Sequence, residues 1–207
     1  MLLAAGEGSR FGQPKALVEL NGRTLAERGV DLLRRGGADP ILVVTGAAQL
    51  QLSGTRTVYN KDWRTGMGSS IRAALRALEP AGESGQARVP GQPAAAFSTD
   101  VGAVVVALAD QPLVGAEAVA RLIAAYHDGA SVAVAAYDGE PRNPVLLARE
   151  HWPEVIAGAK GDMGARAFLR ARPDLVMPVE CGDTGRPDDI DTAADLARIA
   201  RTDRRRR

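Results

Sequence analysis

Two hydrophobic periods alternate along this chain. Short, almost unbroken apolar runs recur at Met1 to Ala5, Ile41 to Thr45, Val58 to Asn60 and Val101 to Leu108, and again inside ASVAVAAYDG and DLVMPVEC. Such runs read as strands buried on both faces, the signature of a parallel sheet covered by helices. Between them the spacing turns helical: Leu25, Val30, Leu32 and Leu33 make one stripe, and Val119, Leu122, Ile123 and Tyr126 make another within GAEAVARLIAAYHD. The pattern predicts a three-layer α/β domain around a mostly parallel sheet, with the ligand crevice at the carboxyl ends of the strands.

Capping residues sharpen several boundaries. Asn21 and Gly22 mark a turn, Thr24 with Glu27 three residues on makes a capping box, and Gly36 and Gly37 stop that helix. GMGSS, Gly66 to Ser70, is a flexible loop opening onto a helix that one of its serines is placed to cap. Trp152 and Pro153 open a short helix with the tryptophan in the core. Asp162 is expected to cap the next helix, packed by Ala165, Phe168 and Leu169. Thr192 and Asp195 form an acidic capping box for the last one. Pro80 to Asp100 has no periodicity and reads as a mobile surface loop without chemistry. The expected organisation is one domain over 1–202 and a solvated, unordered basic tail over 203–207. The first strand is short for a central one, which usually runs about five or six residues. Either the sheet accepts a short strand or the true start lies upstream.

Composition narrows the function classes. With 207 residues, 45% hydrophobic, the chain supports one substantial core. A net charge of +1 gives no reason to expect nucleic acid or an anionic membrane surface as partner. The single Cys181 cannot form an internal disulfide, and His127 and His151 lack metal-ligand spacing. No apolar run approaches a membrane span and no basic leader precedes the first apolar residues, so the expected location is cytoplasmic.

The chemistry concentrates in Leu3 to Lys15, LAAGEGSRFGQPK. A strand breaks into a loop in which Gly6 and Gly8 allow positive φ and close backbone approach. The N–H groups of Ala5 to Ser9 can converge on an anion, and Arg10 and Lys15 supply the cations a triphosphate needs. The P-loop pattern fails, because Gln13 and Pro14 separate Gly12 from Lys15 and Ala16 follows. The dinucleotide fingerprint nearly fits. Phe11 holds its third glycine position, however, and the second strand ends in Thr45 and Gly46 rather than an acid, so a nicotinamide-cofactor reading is weakened but stays open. Further along, Asp110 stands just past the end of a buried strand, in the ligand crevice, with Pro112 stopping the strand. Either it caps the following turn or it offers an oxygen ligand to Mg²⁺, which prefers one or two carboxylates plus phosphate oxygens. Asp188, Asp189 and Asp191 gather more charge before the last helix than a cap requires.

The loop matches LAAG-x-[SG]-x-R-[MF]-G-x-x-K and so resembles the nucleotide-binding signature of the pyrophosphorylase-type nucleotidyltransferases. Within them it is most similar to the molybdenum cofactor cytidylyltransferase and guanylyltransferase group, the MobA-like NTP transferases. Four more segments resemble family motifs in family order: N-x-x-W-x-x-G-[ML]-x-x-S from Asn60, A-D-Q-P around Asp110, G-D-x-G-A-R from Gly161, and D-I-D-T ending at Thr192. The resemblance implies the nucleotide-diphospho-sugar transferase type of Rossmann-like fold and Mg²⁺-dependent nucleotidyl transfer with release of pyrophosphate. It implies nucleotide contacts from Leu3, Ala4, Ala5, Gly6, Gly8, Ser9, Arg10, Lys15, Gly68 and Ser69. Arg10, Lys15 and Asp110 would be catalytic, and Asp110 and Asp191 would be the metal ligands. The acceptor side would be Asn143, Pro144, Asp162 and Arg166, with Asp162 and Arg166 also open to plain capping and surface pairing. Ala5 favours CTP over GTP, since the CTP-using relatives tend to carry LAAG and the GTP-using ones LAGG. The implied acceptor is a small phosphorylated molecule such as molybdopterin, with a molybdoenzyme or its chaperone as a downstream partner. Asn143 replaces the relatives' histidine, which leaves the acceptor's identity open. An NAD(P)H-dependent oxidoreductase of the nicotine blue oxidoreductase type, on the same fold, is the alternative, and a nonenzymatic cofactor-delivery protein is a third.

Overall fold

The computed structural model describes residues 1–79 and 101–204. The expected loop from Pro80 to Asp100 therefore lies outside the described residues, as do residues 205–207 of the expected tail.

The chain opens with β1 (Leu2–Leu3), a two-residue strand, and after the glycine loop forms a small antiparallel ribbon of β2 (Glu19–Leu20) and β3 (Arg23–Thr24). Asn21 and Gly22, both at positive φ, make its turn, as expected from their identities. Helix α1 (Leu25–Arg35) starts at the predicted box: Thr24 Oγ1 accepts from the Glu27 N–H, and the Glu27 carboxylate accepts from the Thr24 N–H at 2.8 Å. Then come β4 (Leu42–Thr45), β5 (Arg56–Tyr59), α2 (Met67–Leu78), β6 (Ala103–Leu108), α3 (Ala116–His127), β7 (Val132–Tyr137), β8 (Glu140–Ala148), α4 (Trp152–Gly158), α5 (Arg166–Ala171), β9 (Val176–Glu180) and α6 (Ala193–Arg204).

Seven strands form one sheet in the order β5-β4-β1-β6-β8-β7-β9. Every neighbouring pair is parallel except the two that β8 makes with β6 and β7. The mostly parallel expectation holds, and the reversed strand is the addition. β8 has no counterpart among the expected elements, because Pro141 and Pro144 argue against a strand interior. Pro141 pairs with Ala136, and the register shifts between that pair and Val134–Val145, the stretch that holds Pro144. The reversal itself was written in Asp138-Gly139, where both residues take positive φ between paired Tyr137 and Glu140. That is the two-residue hairpin loop that Asp-Gly favours.

The strands alternate their side chains between two cores. Leu3, Val44, Val104, Val106, Val134 and Leu147 face α2, α4 and α5, where Ile71, Leu75, Trp152, Val155 and Phe168 complete the layer. Leu2, Val43, Val105, Ala133 and Leu146 face α1 and α3, against Val30, Leu33, Val119 and Leu122. Because the side-chain period of a strand is two, each central strand contributes to both layers, and three layers result. Trp152 is 1% exposed, a core residue as expected. A third cluster of Val18, Leu20, Leu25, Leu113, Ile190 and Ile199 fastens α6 across the ribbon and the end of the sheet. Helix α6 runs through Arg204, so Asp203 and Arg204 belong to it rather than to an unordered tail.

Candidate active site

The loop after β1 is shaped by one glycine more than by two. Gly8 takes φ +64°, accepts at its carbonyl from the N–H groups of Phe11 (2.7 Å) and Gly12 (3.0 Å), and has no room for a Cβ, which would overlap the Gln13 carbonyl. Gly6 does not adopt positive φ, contrary to expectation; a Cβ there would meet open space. After Pro14, Lys15 begins a one-turn 3₁₀ helix through Leu17, which turns its side chain toward the carboxyl end of β6.

There the Lys15 ammonium meets two carboxylates remote in sequence. It donates to Asp110 Oδ2 at 2.8 Å and to Asp191 Oδ1 at 2.5 Å. The Lys15 and Asp110 side chains are about a fifth to a quarter exposed, and that of Asp191 nearly half. Burial works against the charge on Lys15, but the Asp110 and Asp191 carboxylates outweigh it and hold the pKa above the ordinary lysine value. The Ile190 N–H donates to the Asp110 carbonyl at 2.8 Å, tying the 187–191 segment to the end of β6. Asp195 Oδ2 accepts from the Thr192 N–H at 3.0 Å and Thr192 Oγ1 accepts from the Asp195 N–H at 3.2 Å, the acidic capping box that sets Asp191 ahead of α6.

The clustered aspartates divide their partners. Asp188 pairs with Arg186 and Arg198, Asp189 Oδ1 accepts from buried Gln111 Nε2 at 2.9 Å, and Asp191 meets Lys15. Partial burial, with Asp110 and Asp191 close by, pushes the Asp189 carboxyl above the usual carboxylate range.

A cavity of about 470 Å³ opens beside this group at the carboxyl ends of β1 and β6. It is lined by Leu3, Ala4, Ala5, Gly6, Glu7, Lys15, Ala16, Leu108, Ala109 and Asp110, together with Trp63, Arg64, Gly66, Met67, Ser70 and Asp162. Of the expected nucleotide residues, Leu3, Ala4, Ala5, Gly6 and Lys15 border it; Gly8, Ser9 and Arg10 do not, and Ser9 and Arg10 are exposed. Gly68 and Ser69 have other work. Gly68 packs against the backbone of Ala159 and Lys160, and Ser69, 3% exposed, accepts from Asn60 Nδ2 at 2.7 Å and donates to the Gly66 carbonyl at 2.8 Å. Ser70, one residue on, is the serine that lines the cavity.

The expected serine cap is also corrected. Gly66, at φ +102°, is the N-cap of α2, and Asp162 Oδ1 accepts from the Met67 N–H at 3.3 Å. Asp162 thus serves α2, a remote helix, and not α5, whose N-cap Ala165 has no side-chain bond. Its carboxylate sits at the electropositive N-terminus of α2, where negative charge is favoured. Gly66 is required by contact as well as by φ: a Cβ would overlap the Gly161 backbone. Asn143 and Arg166 border a much smaller cleft of about 30 Å³ that shares Met67 and Leu108 with the main cavity, and Pro144 is buried behind a cis peptide bond.

Glu7, Ala16, Trp63, Arg64, Gly66, Met67, Ser70, Leu108 and Ala109 line the cavity without having been among the expected site residues. Trp63 was visible in the N-x-x-W pattern, and the Arg64 guanidinium lies 4.3 Å from the centre of its ring. Among the described residues no group of three or more His, Cys, Asp or Glu is arranged for a metal ion. The donor set suits an ion completed by a ligand: two carboxylates already share one cation, the Lys15 ammonium, and Mg²⁺ takes one or two carboxylates with phosphate oxygens filling the rest. No helix among the described residues is long and apolar enough to cross a membrane.

Comparison with known proteins shows the family and the fold. The chain is 34% identical over 213 residues to nicotine blue oxidoreductase of Paenarthrobacter nicotinovorans, covering 96% of this chain and 94% of that one. It is 38% identical over 82 residues to a probable molybdenum cofactor guanylyltransferase of Opitutus terrae, covering 39% and 41%. The structure resembles the homologue of Mycobacterium tuberculosis Rv0371c from Mycobacterium sp. strain JC1 (TM-score 0.77, 28% identity, 100% of this chain and 96% of that one). It also shares its fold with Rv0371c in complex with manganese (TM-score 0.69, 24% identity, 97% and 96%). The family model of the MobA-like NTP transferase domain matches residues 1–176, a stretch that contains Lys15 and Asp110 but stops short of Asp191. With that match over most of its length, the chain belongs to the MobA-like NTP transferase family, a nucleotidyltransferase family of Rossmann-like fold.

Proposed function

We propose that the chain transfers a nucleotide from a nucleoside triphosphate to a phosphate-bearing acceptor. The observation that carries this reading is the meeting of Lys15 with Asp110 and Asp191, 95 and 176 positions away, beside a cavity at the strands' carboxyl ends. An acceptor phosphate oxygen forms a bond to the α-phosphorus, and the bond to the bridging oxygen breaks as pyrophosphate leaves. Lys15 neutralises charge on the triphosphate, with the N–H groups of Ala5 to Ser9 assisting; Arg10, exposed on the loop, turns inward to join it. Asp110 and Asp191 hold a divalent ion, taken to be Mg²⁺. Such an ion would screen the repulsion between the incoming phosphate and the triphosphate. An ionised phosphate nucleophile needs no general base, and neither histidine lines the cavity.

CTP is the favoured donor over GTP, on Ala5. Molybdopterin is the acceptor that the family resemblance and the local likeness to a guanylyltransferase favour. Asp162, which lines the main cavity, and Asn143, Pro144 and Arg166 make the acceptor side. A second reading, an NAD(P)H-dependent oxidoreductase, is favoured by one observation, the full-length 34% identity to nicotine blue oxidoreductase.

A thermal-shift panel of CTP, GTP, ATP and NADPH, each with and without Mg²⁺, separates the two. Ligand at about a hundred times its Kd stabilises by roughly 2.7 kcal/mol, a rise of several degrees for a domain of this size. A Mg²⁺-dependent rise with CTP is expected. A rise with NADPH alone, indifferent to Mg²⁺, would replace the transferase by the oxidoreductase.

A further inference from the structure

We infer that Gln111 is a positioning residue: its side-chain amide holds Asp189 and so reserves Lys15 for Asp191. The effect on transfer rests on the transferase reading; the contact itself does not.

The segment before α6 brings two carboxylates to the end of β6. Asp189 and Asp191 flank Ile190, which is fully buried in the cluster of Leu25 and Leu113. Ile190 fixes the depth of the segment, with its N–H donating to the Asp110 carbonyl at 2.8 Å. It does not decide which of its two acidic neighbours Lys15 takes. Asp189 lies close enough to Lys15, Asp110 and Asp191 for its charge to be felt by all three. A lysine ammonium is a compact charge on a flexible stem, able to pair with either acid. Its contacts nevertheless go to Asp110 and Asp191.

The choice is made from the opposite side. Gln111 follows Asp110 directly, and its Nε2 donates to Asp189 Oδ1 at 2.9 Å and to the Pro187 carbonyl at 3.4 Å. Turned over, the amide would set its oxygen against a carboxylate, so the contact also fixes its orientation. In that orientation Oε1 is buried with no partner among the described residues. A buried acceptor left unpaired costs stability, and an apolar side chain of similar length would avoid the cost. What the glutamine offers in return is the donor on Asp189. Gln111 is 6% exposed and does not line the cavity, so it acts through Asp189 and not on a ligand. Without the amide, Asp189 would keep its charge and lose its donor, and Lys15 is the cation that acts on it. It would then compete with Asp191 for the ammonium and disturb the arrangement from which Lys15 borders the cavity.

The test uses a spectroscopic signal and a rescue. The lysines of the chain are Lys15, Lys61 and Lys160, the last two exposed. Nitrogen-15 NMR of lysine-labelled protein therefore reads the Lys15 ammonium, assigned by its loss in Lys15→Met. Gln111→Met should displace that signal. Pyrophosphate release from CTP with Mg²⁺ and molybdopterin should fall about tenfold or more, as misplacing a group in the site typically costs. Adding Asp189→Asn removes the competing charge, and should return the signal to its wild-type position and the rate to within about threefold of wild type. Asp189→Asn alone should match wild type in both, since its amide oxygen still accepts from Gln111. A merely structural glutamine would show no rescue, because the second substitution would only add to the damage. A folded Gln111→Met with the wild-type signal overturns the inference, and so does a double variant no better than the single one. If Gln111→Met does not fold, Asp189→Asn still decides: a displaced signal there would mean that the charge of Asp189 itself shapes the site, and would overturn the inference. No pyrophosphate from wild type would remove the transferase reading, while the ammonium signal would still decide whether Gln111 reserves Lys15 for Asp191.

Discussion

Lys15 is the residue on which the account turns, because it touches both carboxylates and borders the cavity. Replacing it with alanine removes a charged contact to the transition state, and such losses typically lower turnover by about two or more orders of magnitude. Steady-state turnover of Lys15→Ala at saturating nucleotide checks this, and an unchanged rate would remove Lys15 from the mechanism. Asp110→Asn keeps the size and the turn but weakens a metal ligand. It should abolish divalent-metal-dependent activity while the circular dichroism spectrum stays that of wild type. The pair Lys15 and Asp110 was legible because each lies in a dense local pattern, a glycine loop and a strand ending in A-D-Q-P. Gly68 and Ser69 were misread for the opposite reason. Their pattern says that the segment matters, but not that Asn60 claims Ser69 and leaves Ser70 to the cavity.

At the scale of elements, local chemistry set the start of α1 and of α6, where a capping box is present. Thr24→Ala removes the side-chain half of the box that starts α1, the acceptor of the Glu27 N–H, and should cost about 0.5–2 kcal/mol in urea unfolding, with the active site untouched. Asp162→Ala should cost a similar ~1 kcal/mol, although the residue sits 95 positions from the helix end it caps. That cap could not be read from sequence, since capping rules look a few residues ahead and not across the fold. Strand β8 was lost in another way. No strand was expected there; prolines at 141 and 144 disfavour a strand interior, whereas the Asp138-Gly139 turn and the apolar run after Pro144 favour one. The register shift falls on the stretch with Pro144, while Pro141 pairs with Ala136. The alternation of Leu2 and Leu3, Val43 and Val44, or Val105 and Val106 between two cores was legible throughout, because strands buried on both faces leave continuous apolar runs.

At the scale of the molecule, the sheet makes the site by bringing three distant stretches to one edge, the loop after β1, the turn after β6 and the segment before α6. The central charge cluster also sets a pH signature. The folded-state pKa of Lys15 lies above its ordinary value of 10.5, so its contribution to stability is complete below that value and is lost as pH rises through the folded pKa. The unfolding free energy of wild type relative to Lys15→Met should therefore stay level on this account from about pH 7 to about pH 10 and shrink only beyond, as denaturant melts across that range would record. Asp191 was named from sequence through the D-I-D-T resemblance alone, without its contact to Lys15. It lies beyond the family match, and only the packing of α6 over Leu25 and Leu113 returns it to Lys15.

The most direct test of nucleotidyl transfer is pyrophosphate release from CTP, with Mg²⁺ and molybdopterin, measured against formation of the nucleotide-linked acceptor. The account predicts pyrophosphate and linked acceptor in equal amounts, with neither formed when Mg²⁺ or acceptor is left out. No pyrophosphate from CTP, GTP or ATP, together with oxidation of NADPH by the same protein, would contradict it.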